Sequence, residues 1–179
     1  MVVLINGAFG IGKSTVASLV TKRLPGSAVF NPELPGIVLQ RARRLAGNPV
    51  EDFQDIALWR RLVVRGIRAT TFIRATVIVP MAFSNLDYLK EVLDGVRRFD
   101  PSVVHFCLVA PLEVVEERLM GRGHHGGDPR SAWLDRRAAE CCAIHSDPAF
   151  AEQIPTAGLT APQVADVLVE RLETLLRKA

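Results

Sequence analysis

A three-layer α/β domain on a five-stranded, mostly parallel sheet is the fold class this sequence predicts, and three observations carry it. The clearest strand candidates, Val2–Ile5, Ala75–Met81 and Val103–Val109, are apolar runs without polar alternation, as strands buried on both faces require. Helix-compatible stretches separate them, the pattern of right-handed crossovers between parallel strands. The first strand also runs directly into Gly7-Ala8-Phe9-Gly10-Ile11-Gly12-Lys13-Ser14, the G-x-x-x-x-G-K-[ST] spacing of a phosphate-binding loop between strand and helix.

Taken in order, residues 2–6 form the first strand. Val16, Leu19, Val20 and Leu24 share one face of a helix that Pro25-Gly26 stops. Ala28-Val29-Phe30 is a brief second strand, and Asn31-Pro32-Glu33 turns at its end. A helix from Pro35 to Ala46 ends at Gly47-Asn48-Pro49, and a long helix from Val50 to Ile73 follows. The strand Ala75–Met81 leads to a helix capped by Ser84 and running to Phe99. After Val103–Val109, residues 112–121 are helical, 122–130 form a loop with glycines and histidines, and a helix spans Ser131–Ile144. Gln153–Thr156 is a weak fifth strand, and Thr160 caps the last helix, to Arg177.

A chain of 179 residues with 49% hydrophobic content and mean hydropathy +0.20 suits one domain, 1–179, with a real core. No apolar run is long enough for a membrane span, and the first residues already form a strand and loop rather than a signal peptide. Cys107, Cys141 and Cys142 lack metal-ligand spacing, so a reduced, cytoplasmic protein is expected. Adjacent His124-His125 lack ligand partners and are assigned no site. Of 22 basic residues 18 are arginines, in a chain of net charge +3. No basic tail or aromatic-interleaved basic stripe accompanies them, so no nucleic-acid partner is expected.

The loop's chemistry follows from its backbone. Glycines let the N–H groups of residues 7–12 curl inward, and the helix behind adds unsatisfied donors and the positive end of its dipole. Gly7, Ala8, Phe9, Gly10, Ile11, Gly12, Lys13, Ser14 and Thr15 are therefore the nucleotide-binding candidates. Lys13 would reach the β- and γ-phosphates of ATP, and Ser14 would hold Mg2+.

Other segments carry a resemblance. Glu116-Glu117-Arg118-Leu119-Met120-Gly121-Arg122 resembles the lid segment of adenylate-kinase-like small-molecule kinases, Trp133-Leu134-Asp135-Arg136-Arg137 their returning lid arginines, and the run from Ile154 to Val164 their last strand and helix cap. Asn6-Gly7-Ala8-Phe9-Gly10, Asp52-Phe53-Gln54, Leu58-Trp59-Arg60, Ile78-Val79-Pro80-Met81 and His105-Phe106 with Leu108 resemble, in this order, the bacterial tunicamycin-resistance ATP-binding proteins. The resemblance runs from residue 2 to about 170. It implies a P-loop kinase-like fold of sheet order 2-3-1-4-5, a mobile lid at about 122–137, ATP binding, and protection against a nucleoside antibiotic by phosphorylation of a hydroxyl. Sequestration without chemistry and phosphorylation of a nucleoside metabolite are the alternatives. Arg118, Arg122 and Thr156 join the nucleotide set on this basis.

Phosphoryl transfer to an alcohol needs aligned oxygens, neutralised charge and a proton acceptor. Lys13, Arg122 and Arg136 (or Arg137) are candidates for the charge. Glu33, just past a strand's carboxyl end, is the candidate base. Phe53, Gln54, Trp59, Arg60, Met81 and Phe83, with Glu33, are the candidate acceptor site, offering apolar surface and hydrogen bonds. The chain departs from the family at Asn31, where an aspartate is usual, and at Pro80-Met81, where no Walker-B aspartate stands. It also ends soon after the last helix, so the amphipathic extension that a relative uses for membrane association is not expected, and peripheral contact with the membrane is left open.

Overall fold

The computed structural model describes residues 1–121 and 129–177, with the side chains of 129–131 left aside. Five strands make one sheet: β1 (Val2–Gly7), β2 (Ser27–Val29), β3 (Thr76–Pro80), β4 (Val104–Val109) and β5 (Glu152–Pro155). Their order is β2-β3-β1-β4-β5 and each of these pairings is parallel. The P-loop kinase-like architecture and strand order expected from the sequence are thus present. Register is set along β1, where Val2 to Ile5 face Val77 to Pro80 on one side and Val3 to Gly7 face Val104 to Leu108 on the other.

Among the described residues seven α-helices connect and cover the strands: α1 (Lys13–Arg23), α2 (Glu33–Leu45), α3 (Ala57–Thr71), α4 (Leu86–Arg97), α5 (Leu112–Met120), α6 (Pro129–His145) and α7 (Ala161–Leu176). Alternate residues of β1 feed opposite cores, since successive side chains of a strand point to opposite faces. Val3 and Ile5 pack with Val16, Val20, Val115 and Leu168 beneath α1, α5 and α7. Val2 and Leu4 pack with Trp59, Val63, Val92 and Val96 beneath α3 and α4. Every residue of β1 is buried. Each of its large aliphatic side chains is worth about 1.5–3 kcal/mol of burial, which is why a six-residue strand can anchor a functional loop.

Two local readings need correction. The segment 50–73 is not one helix: Asp52 Oδ1 accepts from Gln54 N–H at 2.9 Å and nucleates a 3-10 turn at Phe53–Asp55. Ile56 is then extended, and α3 starts at Ala57. Asn85, not Ser84, caps α4, its Oδ1 accepting from the N–H groups of Asp87 and Tyr88 at 2.9 and 3.1 Å. Ser84 instead accepts from Arg137. Of the lid segment 122–137, residues 129–137 are already helical in α6, and 122–128, with Arg122 and His124-His125, lie outside the described residues. The cap on α7 stands as expected, with Thr160 N–H donating to Gln163 Oε1 at 2.9 Å.

Candidate active site

The carboxyl ends of β1 and β4 are where connections leave in opposite directions, β1 towards β2 and β4 towards β5. Ligands bind at such a switch point in open α/β sheets. The phosphate loop stands there, anchored by the buried side chains of Ala8 and Ile11. Gly10 is obligatory: its φ is +84°, and a Cβ on it would lie 2.6 Å from Leu119 of α5. Gly12 occupies the N-cap of α1 without a side-chain cap, and no acidic residue stands in the first turn. The first-turn N–H groups are left for an anion. Lys13 Nζ lies in the curl, donating to Ala8 O at 2.8 Å, while Ser14 and Thr15 are exposed beside it. A triphosphate and a magnesium ion fit this donor set, with Ser14 Oγ and phosphate oxygens as the ion's natural ligands.

Arg118 and Thr156 close the nucleotide side. The half-buried Arg118 guanidinium donates to Ile11 O at 3.1 Å, Thr156 Oγ1 at 3.0 Å and Thr156 O at 2.7 Å. Thr156 is buried and its N–H donates to Val109 O at 2.8 Å. Thr156 therefore props the junction of β4, β5 and α5 instead of presenting a side chain to solvent. Phe9 meets Trp133 of α6 edge-on at 5.5 Å, so the loop touches α6. Between Ala8, Leu112, Pro155 and the α6 residues Ala139 and Cys142 lies a mostly apolar cavity of about 570 Å³, within the range of small-molecule sites.

The other side is built around β3 and the turn before α3. Glu33 is exposed at the first position of α2, and its N–H donates to Asn31 Oδ1 at 2.9 Å. Asn31 thereby supplies the same acceptor an aspartate would. Trp59 does not offer a stacking surface: it is buried, donates from Nε1 to Pro32 O at 2.9 Å, and packs against Phe53 and Phe83 at 5.0 and 5.9 Å. Met81 and Phe83 are core residues as well. Gln54 is buried, donates from Nε2 to Ala82 O at 2.9 Å, and keeps an Oε1 without a partner among the described residues. Arg60 is held by Glu91 Oε2 at 2.5 Å, Gln54 O at 2.6 Å and the Tyr88 ring at 4.0 Å. It braces the edge from behind.

The arginine that crosses from α6 is Arg137, not the Arg136 preferred from the sequence. Arg136 is exposed. Arg137 donates to Asp52 Oδ2 at 3.0 Å and Ser84 Oγ at 2.8 Å, and to Glu140 at 2.6 Å. Burial pushes the Asp52 carboxyl above its ordinary value, although the Gln54 N–H and Arg137 favour its charge. A second junction escaped the sequence reading. Asn6, at the end of β1, accepts from Phe83 N–H at 2.8 Å, and His145 of α6 places Nε2 2.6 Å from Phe83 O. A carbonyl only accepts, so Nε2 carries the proton, and burial lowers the ring's pKa. A polar Asn6 ending an apolar strand is the visible signal.

Loop, sheet order and the helices on both faces of the sheet define a P-loop, kinase-like nucleotide-binding protein. The model of a family described as an AAA domain matches residues 2–142, and the chain belongs to that family. A search of curated proteins finds no match. Among solved structures it is similar to a tunicamycin resistance protein of Deinococcus radiodurans, with 32% identity over 96% of this chain and 94% of that one and a TM-score of 0.74. It is also similar to a sugar kinase of a Janibacter species, with 25% identity, 98% and 94% coverage and a TM-score of 0.59. A gluconokinase of Sinorhizobium meliloti shares the fold, with 18% identity, 99% and 96% coverage and a TM-score of 0.67.

Proposed function

We propose that the protein is an ATP-dependent phosphotransferase that modifies a hydroxyl of a nucleoside antibiotic of the tunicamycin class and so confers resistance to it. The observation that carries this reading is the open phosphate loop ahead of α1, in a chain 32% identical to a tunicamycin resistance protein. Magnesium-ATP would supply the transferable phosphoryl group. Lys13 and the first-turn N–H groups of α1 neutralise phosphate charge and Ser14 ligates the ion. Arg122, and Arg137 in place of Arg136, add charge when the lid segment closes. Glu33 accepts the hydroxyl proton as the new P–O bond forms and the bond to the leaving ADP oxygen breaks. Phe53, Gln54, Arg60, Met81 and Phe83 shape the acceptor side. Residues 1–179 act as one domain in the cytoplasm; no helix among the described residues is long and apolar enough to cross a membrane.

A second reading, ATP-dependent sequestration of the drug without chemistry, is favoured by Pro80-Met81 at the end of β3 and by Asn31 after β2, which leave Glu33 as the one carboxylate of the Asn31-Pro32-Glu33 turn. Incubation with magnesium-ATP and tunicamycin, followed by mass spectrometry, separates them. The transferase reading requires a product heavier by one phosphoryl group, lost in Lys13→Ala and strongly reduced in Glu33→Gln while ATP binding persists. Tight binding with unchanged drug mass would leave sequestration.

A further inference from the structure

We propose that the groove between α3 and α4, on the outer side of the sheet's second core, is a separate binding site for a phosphate-bearing small ligand. The groove is a pocket of about 340 Å³ lined by Arg60, Arg61, Arg65, Arg98, Glu91 and the close contact of Val64 with Gly95. The helices can approach there because position 95 is glycine; a Cβ would come within 2.8 Å of Val64. Its floor is therefore short and apolar, and its walls are guanidinium groups.

The charge balance marks the groove as more than arginine-rich surface. α3 carries Arg60, Arg61, Arg65 and Arg68 and no acidic residue along its length. Arg61 and Arg65 are one turn apart, a like-charge spacing that opposes the helix. The one carboxylate lining the pocket, Glu91, is committed to Arg60 at 2.5 Å. On the same helix Asp94 is engaged by Arg97 at 2.9 Å. Among the described residues no carboxylate pairs with Arg61, Arg65 or Arg98, and all three are exposed. Three planar forks around a small concavity match the geometry of phosphate oxygens, which guanidinium binds two at a time. Arg60 touches both regions, because it also donates to Gln54 O on the acceptor side at 2.6 Å.

The test is calorimetric titration of the full chain with inorganic pyrophosphate in five forms: wild type, Lys13→Ala, Arg65→Glu/Arg98→Glu, the triple combination, and Arg65→Lys. Two sites are expected in the wild type. Lys13→Ala should weaken only the loop site, and the charge reversal should weaken the other by about tenfold or more. Arg65→Lys, which keeps charge and loses the fork, should fall between. A melting temperature unchanged in the double variant keeps the reading clear of unfolding. Pyrophosphate affinity in the Lys13→Ala form that is the same with and without the reversal would overturn the proposal, as would a single site in the wild type that vanishes with Lys13→Ala. The phosphate can come from a free metabolite or a lipid headgroup. Sedimentation with phosphatidylcholine vesicles, with and without phosphatidic acid, distinguishes them: reversal-sensitive binding to the acidic vesicles identifies the headgroup, and pyrophosphate binding without it identifies a soluble ligand.

Discussion

The two halves of the cleft are built differently. On the nucleotide side α1 sinks Val16, Ala17 and Val20 into the core, and Arg118 ties the loop to β5. On the acceptor side α2 buries Gly36 alone, while Leu34, Val38 and Leu45 are 63%, 66% and 91% exposed. Helices with few buried contacts open at low free-energy cost. The phosphate loop is thus preformed in the fold, whereas the side proposed for the acceptor is held by side-chain bonds among Asp52, Ser84 and Arg137. Under the proposed function, generic affinity would reside in the first half and selectivity in the second.

The harshest way to break the contrast is to damage the preformed half. Gly10→Val places a branched side chain at φ +84° and against Leu119. A loss of about 2–4 kcal/mol is expected, together with loss of the melting-temperature increase that ATP should give the wild type. A variant that melts normally and is still stabilised by ATP would show that the loop is not rigid.

Acidity probes two buried groups with opposite sign. Burial, with the positive fields of His145 and Arg97, pushes His105 of β4 down to about 4. Its neutral form is favoured in the folded state, so the unfolded chain binds the proton first as pH falls. Stability is then complete above the ordinary value of 6.5 and is lost progressively towards 4, by about 3 kcal/mol in all. His105→Leu should flatten that limb in urea melts between neutral and acid pH. Asp52, raised by burial, contributes the reverse slope: stability falls as pH rises from 3.8 through its folded value. Asp52→Asn should remove this contribution and leave the histidine limb intact.

Cutting the acceptor-side latch comes next. Arg137→Ala leaves Asp52 partly buried with one partner fewer, at a cost of about 1–3 kcal/mol. Paired with Asp52→Asn in a double-mutant cycle, the loss should be sub-additive, with acceptor affinity falling more than ATP affinity. Strictly additive losses would show that the two side chains act separately.

How much of this is legible in the sequence follows the same division. The loop, the strands and Thr160's cap can be read because glycine spacing, apolar runs and capping residues act locally, whereas the strand order comes from the family resemblance. Trp59 is misplaced by the resemblance and not by periodicity, which favours packing, because an aromatic in a shared motif looks the same whether it faces a ligand or Pro32. Arg136 and Arg137 are not separable because adjacent residues of a helix differ only in which neighbour they meet, and Asp52 and Ser84 are distant in sequence. The 3-10 turn at Phe53 is hidden because Asp52 acts as a cap inside a stretch whose periodicity is helical throughout.

The gentlest change is the most informative about chemistry. Asn31→Asp keeps the acceptor for the Glu33 N–H and adds a negative charge at the start of α2, where the helix dipole favours it, so stability should rise by no more than about 0.5 kcal/mol. If a carboxylate at position 31 is what the acceptor side lacks, phosphoryl transfer should increase at unchanged ATP affinity. If Glu33 already takes the proton, turnover should stay within about twofold, a barrier change below about 0.5 kcal/mol. The loss caused by Glu33→Gln should be rescued by adding Asn31→Asp only under the first outcome. A kcat that follows position 31 assigns the base to the strand end, and one that follows position 33 assigns it to the helix.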